Sequence, residues 1–298
     1  MSAEATYFGS VGRHLRRLMS YNNPEPSQLA NTNLARPFPQ FGSVQVMSAP
    51  SSSHYNALYL KLQKRFSSGV SFLTSYSYGK SIDNGSGIRT SDGDSLTPSN
   101  NYDLGLETGL SAFDFRQRWT TSWLWDLPFG KDRQFLNHGG VVDAVLGGWQ
   151  LGGIFTMQSG FPFTVLCGPG TIQNGGGVCY PDATGEDWQL PDSERSRTRY
   201  FNTGAFVDRT NPGGPFRYGT VPRNSLIGPG IVSLDASANK RFSLGGSKVI
   251  ELRIEVFNLP NTPIWNQPGN QLRTPTFGVI TSTRIDSRQI QIGGKLLF

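Results

Sequence analysis

The sequence is poor in several residue types, and each shortage excludes a class of protein. Only 16% of its 298 residues are charged, well below the roughly 25% of an ordinary soluble domain. It has no run of about 20 apolar residues, which a membrane-spanning helix requires. The net charge is +6, but the basic residues are scattered, so we expect no nucleic-acid partner.

The sequence also has few residues suited to chemistry. Its three histidines, His14, His54 and His138, lie far apart and lack the spacing of metal ligands. The cluster Asp92-Gly93-Asp94 is not completed to a calcium-binding loop. No catalytic constellation can be recognised. We therefore expect no enzyme activity, no catalytic residues, no metal and no cofactor.

The abundant residues indicate a β protein with many turns. The chain contains 36 Gly and 19 Pro, which punctuate the backbone. Aromatic residues make up 12%, whereas a disordered chain would have few of them. These numbers leave two alternatives, a large soluble β-sandwich or a membrane β-barrel.

Apolar and polar residues alternate along several segments, as in strands with one apolar face. Five of these seven segments reach 9 or more residues, whereas globular strands average about 5–6 and a tilted membrane strand needs about 9–11. The length favours the barrel over the sandwich. The segments are His54–Phe66, Val70–Tyr78, Phe113–Leu127, Gly148–Val165, Val232–Asn239, Ile250–Val256 and Gln289–Phe298.

Long and short connectors alternate between these strands, as in outer-membrane barrels. With a weak first strand near Ala3–Gly9, the count is about eight. We predict an all-β fold, an antiparallel transmembrane β-barrel segment of about eight strands with long extracellular loops. The expected connectors are 10–52, 67–69, 84–112, 128–147, 166–230, 243–247 and 260–284.

Several segments, in this order, resemble the barrel of TonB-dependent outer-membrane receptors, in particular the Oar-like group. The resemblance covers nearly the whole chain, from YFGSVGRHL (7–15) onward. The strongest segments are YNALYLKLQKRFSSGVSFLTSYSYGKSID (55–83), FDFRQRWTTSWLWDLPFGKDR (113–133), GGWQLGGIFTMQSGFPFTV (147–165), RNSLIGPGIVSLDASANKRFSL (223–244), ELRIEVFNLPNTPIW (251–265) and RQIQIGGKLLF (288–298).

The resemblance implies a domain assignment and a set of partners. Residues 1–298 correspond to the C-terminal part of such a receptor barrel, with no plug, no signal peptide and no carboxypeptidase-regulatory-like domain. The N-terminal MSAEATYFGSVGRHLRR (1–17) alone would favour the cytoplasm. With a preceding signal peptide, we expect integral location in the outer membrane of a Gram-negative bacterium.

The implied function is uptake of an unknown extracellular solute, and the alternative is a non-transporting structural or adhesive outer-membrane barrel. Implied partners are outer-membrane lipid, the barrel assembly machinery and, in the whole receptor, the plug and TonB. The assembly machinery would read alternate residues of the last strand, which are Ile290, Ile292, Leu296 and Phe298.

Alternation also assigns side chains to the two sides of the barrel wall. Loops 84–112 and 166–230 would face the ligand. The predicted lipid-facing residues are Leu58, Leu60, Leu62, Phe72, Trp123, Leu252 and Ile254. The predicted lumen-facing residues are Arg116, Arg118, Glu251, Arg253 and Glu255.

Cys167 and Cys179 are the only cysteines, and both flank Gly-rich sequence in the longest loop. In an oxidising compartment, we expect a disulfide between them. In the cytoplasm they would remain two free thiols.

Overall fold

The computed structural model describes residues 1–24, 36–87, 95–137, 139–169, 178–208, 217–245 and 248–298. Within them, eight long strands form one antiparallel sheet. The long strands are β1 Ser2–Ser20, β2 Gln45–Ser67, β3 Val70–Asp83, β5 Gln117–Asp126, β6 Trp149–Gln158, β11 Ile231–Gly245, β12 Lys248–Phe257 and β13 Gln289–Leu297. The short strands are β4 Gly109–Leu110, β7 Pro162–Phe163, β8 Asp182–Ala183, β9 Phe206–Val207 and β10 Leu226–Ile227.

The long strands form a meander, in which each one pairs with the next along the chain. The order is β1-β2-β3-β5-β6-β11-β12-β13, and β4 pairs with the end of β3. Strand β7 pairs with β10, and β8 with β9, in two small separate sheets. One short helix, α1, spans Val141–Leu146. In the described part of the chain, no helix is long and apolar enough to cross a membrane.

Connectors of different length lie at opposite ends of the sheet, as the sequence predicts. Segments 68–69, 127–148 and 246–247 join strands at one end, which we call the short-connector end. Ser2 pairs with Gln63, and Leu297 pairs with Val249, so β1 begins and β13 ends at this same end. The predicted antiparallel all-β fold with about eight strands and long loops is confirmed.

The first two strands are longer than the sequence analysis predicts. It placed the first strand near Ala3–Gly9 and a connector at 10–52, but β1 continues to Ser20 and β2 begins at Gln45. The added pairs include Leu18 with Met47. The end of β1 is buried, whereas Met47 and its neighbours in β2 are exposed. Alternation is lost because the register of β1 shifts twice between Gly12 and Arg17, so apolar residues no longer keep to one side.

Two other strands are shorter than predicted. The segment predicted as Phe113–Leu127 becomes strand only from Gln117, because the carboxylate of buried Asp114 accepts a hydrogen bond from the Ser81 backbone N–H at 2.6 Å. The segment predicted to run to Val165 leaves the sheet after Gln158. Residues beyond it pair as β7 with β10. The longest connector is therefore 159–230 rather than 166–230.

The buried apolar core lies in the connectors at the far end and not against the sheet. We call these segments the loop layer, which comprises the described parts of 21–44, 84–116, 159–230 and 258–288. Its core joins aromatic and aliphatic side chains from two connectors, and its rings contact one another at 5.1–6.3 Å between centroids. The buried members are Phe163, Val165, Phe201, Ala205, Phe206, Val221, Leu226 and Leu272.

Candidate functional site

The two faces of the sheet differ in chemistry. Residues paired across neighbouring antiparallel strands project to the same side, so the register follows one face through the sheet. Phe72 pairs with Trp123, Trp123 with Gly153, Gly153 with Ala236, and Ala236 with Val256. We call this the apolar face. It carries all seven side chains that the sequence analysis assigns to lipid, Leu58, Leu60, Leu62, Phe72, Trp123, Leu252 and Ile254.

Four of the five side chains assigned to the lumen share the opposite side, the polar face. Arg118 pairs with Gln158, which pairs in turn with Ile231 of β11. Glu255 pairs with Ser237 of the same strand. Ile231 and Ser237 are an even number of residues apart, so Arg118 and Glu255 project to the same side. Arg116 precedes β5, so the register places it on neither face; its backbone carbonyl accepts from the Gly79 N–H at 3.1 Å. The four residues are Arg118, Glu251, Arg253 and Glu255.

Two ion pairs lie on the polar face, and Arg241, Glu251 and Arg253 line a cavity of about 480 Å³ toward the short-connector end. Arg241 Nε lies 3.1 Å from Glu251 Oε2, and Arg253 Nη2 lies 2.5 Å from Glu255 Oε1. The arginine side chains are more than half exposed, so each pair contributes only about 0–1 kcal/mol to stability. These charges suit a wet surface rather than a packed core.

An apolar patch interrupts the polar face. Leu73, Leu124 and Ile154 lie on the neighbouring strands β3, β5 and β6, and all three are exposed. Ser122 pairs with both Leu73 and Ile154, so these two side chains project to the same side of the sheet, the polar face. They line a second cavity of about 610 Å³. This patch was not predicted from the sequence. The available signal was that each of the three residues is apolar at a position where the alternation calls for a polar residue.

Two buried ion pairs join the loop layer to the strands. Arg17 of β1 lies 2.8 Å from Glu107, and Arg223 of the 159–230 connector pairs with Asp83 at the end of β3. Arg223 Nε also donates to the Glu107 backbone carbonyl at 2.8 Å, and the Tyr180 hydroxyl donates to its carboxylate at 3.2 Å. Four separate segments therefore meet at one charged cluster.

No pattern in the sequence predicts this cluster. Arg17, Asp83, Glu107 and Arg223 are far apart along the chain, and no short motif connects them. Buried charges are rare unless they are paired, but burial at these positions arises only from the packing of the loop layer. The only local signal was a charged residue close to each strand end.

Cys167 and Cys179 form a disulfide within the loop layer. Both side chains are buried, and the Cys167 N–H donates to the Cys179 carbonyl at 3.0 Å. The neighbouring Leu166 N–H donates to the carbonyl of Asn270 at 2.8 Å. The disulfide thus lies where the connectors 159–230 and 258–288 meet.

The described ionisable groups include two in the loop layer whose pKa is shifted by burial. Burial raises the pKa of Asp114, and the hydrogen bond from the Ser81 backbone opposes this shift. Burial likewise raises the pKa of Tyr200, and the charge of Arg195, whose guanidinium carbon lies 5.8 Å from the Tyr200 ring centre, opposes it. The two groups lie in different parts of the layer and form no acid–base pair with each other.

Some residues considered as metal ligands are not described. His138 and the Asp92-Gly93-Asp94 cluster lie outside the described residues. Within the described ranges, no three His, Cys, Asp or Glu side chains are grouped so that they could hold a metal ion.

Three of the four residues predicted to form the assembly signal, Ile290, Ile292 and Leu296, share the apolar face, and Phe298 follows the end of β13. Ile290 pairs with Val256, and Ile292 pairs with Ile254. All four side chains are exposed. They are Ile290, Ile292, Leu296 and Phe298.

The sheet, its two faces and its alternating connectors define an integral β-barrel protein of the outer membrane. The chain belongs to the family of outer membrane beta barrel domains, whose match covers residues 1–291. Among solved structures, the outer membrane transporter YddB from Escherichia coli is similar, with a TM-score of 0.46 and 10% identity. The match covers 99% of this chain and 30% of that one, so the chain spans under a third of the transporter's length. No curated protein matches.

Proposed function

We propose that this chain is the C-terminal part of a TonB-dependent receptor barrel of the Oar-like group, and that the whole protein takes up an extracellular solute. The observation that carries the proposal is the division of the sheet into two faces. One face is apolar and partly exposed, and the other carries charged pairs beside open cavities of about 480 and 610 Å³. A transport lumen requires a barrel wall whose inner side is polar and hydrated.

In this proposal the chain binds and passes a solute and catalyses no reaction. The loops within 84–112 and 166–230 bind the solute outside, and the polar face lines its route. The plug of the whole receptor lies against the polar face, and TonB supplies the energy that displaces it. The last strand, β13, is the part that the barrel assembly machinery binds.

A second candidate is a structural or adhesive outer-membrane protein that displays its loops and transports nothing. The loop layer is compatible with this function, because it has its own apolar core, a disulfide and two buried ion pairs. A rigid displayed surface would suit adhesion. It would equally suit a binding site that is built before its ligand arrives, so the layer alone does not favour adhesion over uptake.

Epistasis between the gene of this chain and tonB tests the proposal. Wild-type cells, each single deletion and the double deletion are grown on a mixed peptide and oligosaccharide digest, and the depletion of each solute from the medium is measured by mass spectrometry. We expect at least one solute that wild-type cells deplete and that neither single-deletion strain depletes. The double deletion should reduce its depletion no further than each single deletion does. Unchanged depletion together with weaker attachment of cells to surfaces would overturn uptake and favour adhesion.

A further inference from the structure

Helix α1 exposes an apolar surface at the short-connector end of the sheet. Five of its six side chains are apolar and exposed, and the four large ones are Val141 at 79%, Val142 at 46%, Val145 at 59% and Leu146 at 50%. Their spacing places them as two adjacent pairs, one turn apart along one side of the helix. The preceding part of the same connector adds exposed Phe135 and Leu136. A cluster of this size on a short connector is unusual for a surface that faces only water.

The polar groups of the helix are directed toward protein instead. The Asp143 carboxylate accepts a hydrogen bond from the Lys131 backbone N–H at 2.7 Å. At the C-terminal end, Lys240 Nζ donates to the carbonyls of Asp143 at 3.2 Å and Gly147 at 2.5 Å. The Trp149 indole N–H donates to the Val145 carbonyl at 2.8 Å. The helix is therefore amphipathic and held in one orientation.

These contacts place α1 on the apolar side of the sheet. Lys240 pairs with Trp149 and with Leu252, so it belongs to the apolar face. Its ammonium lies 5.5 Å from the Trp149 ring centre and 5.1 Å from that of Phe242. A lysine on a lipid-facing wall is costly unless it is capped, and the α1 carbonyls cap it. The exposed side of the helix is thus continuous with the apolar face of the sheet.

We infer that α1 is an interfacial anchor, whose Val141, Val142, Val145 and Leu146 side chains enter the membrane leaflet at the short-connector end. The occupant is phospholipid, because the apolar face that continues into α1 belongs to a protein that resides in the outer membrane. Amphipathic helices lie in the interface with their apolar side about 5–10 Å into the leaflet. The inference rests on this location and is independent of whether the whole protein transports a solute.

Depth-dependent quenching tests the anchor. The full chain carrying Val145→Cys, labelled with an environment-sensitive fluorophore, is folded into phosphatidylcholine vesicles. Acyl chains carry bromine either near the headgroup or near the terminal methyl. The native cysteines are joined in a disulfide, so labelling is specific. We expect shallow bromine to quench Val145→Cys about twofold more than deep bromine, because the helix lies at the interface; labelled Val142→Cys should behave in the same way.

Two labelled positions serve as controls. Ser71→Cys lies at the same end of the sheet but at a polar-face position, since Ser71 pairs with Leu124, and it should be quenched by neither lipid. Leu60→Cys, within β2 on the apolar face, should be quenched more by deep bromine. Quenching at Leu60→Cys alone would overturn the anchor and leave the barrel intact. Absence of quenching at both Leu60→Cys and Val145→Cys would overturn membrane insertion of the sheet and the anchor with it.

Discussion

The guanidinium of Arg17 lies 2.8 Å from the carboxylate of Glu107, and each side chain is only 1% exposed. Arg17 belongs to β1, whereas Glu107 lies in the loop layer, 90 residues away in sequence. Because Glu107 also accepts from the Tyr180 hydroxyl and, through its backbone, from Arg223, this pair holds two connectors against one strand. The position of the loop layer relative to the barrel wall therefore depends on it.

Glu107→Gln should loosen the loop layer. The substitution leaves Arg17 as a buried charge without its counter-ion, which costs about 3–5 kcal/mol. We expect the amides of segments 95–107 and 178–190 to exchange hydrogen much faster, while those of β5 and β6 stay protected. Hydrogen exchange read by mass spectrometry on the folded protein in detergent measures both regions at once.

The matched control is Glu4→Gln. Glu4 pairs with Lys61 at 3.4 Å, but these side chains are 59% and 41% exposed, so the loss should be at most about 1 kcal/mol. Arg17→Met combined with Glu107→Leu removes both charges and should restore part of the protection. Equal exchange in Glu107→Gln and Glu4→Gln would contradict a supporting role for the buried pair.

The disulfide should stabilise only the region where the connectors 159–230 and 258–288 meet. Cys167 and Cys179 are separated by 12 positions, and closing a loop of this size contributes about 3 kcal/mol in the chain-entropy model. Cys167→Ser with Cys179→Ser should therefore increase proteolysis between residues 164 and 182. The heat-dependent gel mobility of the barrel should not change, because neither cysteine lies in a long strand. Loss of that mobility shift would contradict a local role.

Alternation in the sequence predicts the wall of this protein well and its loop layer poorly. The seven residues assigned to lipid lie on one face because period-two burial depends only on strand geometry. The end of β1 was missed because Arg17 is covered by the loop layer, and no apolar repeat marks it. Likewise, β5 begins later than predicted because Asp114 accepts a hydrogen bond from the Ser81 N–H, a contact that no local pattern marks. Burial that depends on distant segments leaves no local pattern.

The core of the loop layer shows the same limit. Phe163 and Phe201 lie 5.9 Å apart between ring centres, yet the sequence pattern places Phe163 at the end of an alternating strand and Phe201 in a loop, and it does not bring them together. Their contact depends on how the 159–230 connector folds back on itself, and β7 pairing with β10 sets that geometry. The sequence analysis could name the segment as a ligand-facing loop, but it could not find the residues that pack beneath its surface.

Stability should fall as pH rises through the titration of Asp114. Burial raises its pKa above the ordinary 3.8, so the folded state binds the proton more tightly than the unfolded state. The favourable contribution is complete below pH 3.8 and is lost as pH rises through the folded-state pKa. Asp114→Asn should remove this dependence, since an amide oxygen can still accept from the Ser81 N–H.

Urea unfolding followed between pH 3 and pH 8 measures this contribution, as the difference in midpoint between wild type and Asp114→Asn. The same-site control is Asp114→Ala, which removes the acceptor and should lower the midpoint at every pH. If the unfolding midpoints of the wild type and Asp114→Asn changed in parallel over the whole pH range, the Asp114 carboxylate would not be the group responsible for the pH dependence.

Adjacent residues of β2 test which face of the sheet contacts lipid. Leu60 lies on the apolar face and Tyr59 on the polar face, and both side chains are 40% exposed. Leu60 is seven residues from Ser67, which at about 3.3 Å per residue and a tilt of about 40° places it well inside the roughly 25 Å apolar band. Leu60→Arg should therefore cost about 2–4 kcal/mol, whereas arginine facing a wet lumen costs little.

The measurement is the free energy of folding into phosphatidylcholine vesicles, from urea titrations read by heat-dependent gel mobility. Tyr59→Arg is the control, and it should lose less than about 1 kcal/mol because its new charge can stay hydrated. A larger loss for Tyr59→Arg would mean that the two faces are exchanged. Equal small losses would mean that neither face contacts lipid, because a buried arginine in the apolar band cannot be neutral to folding.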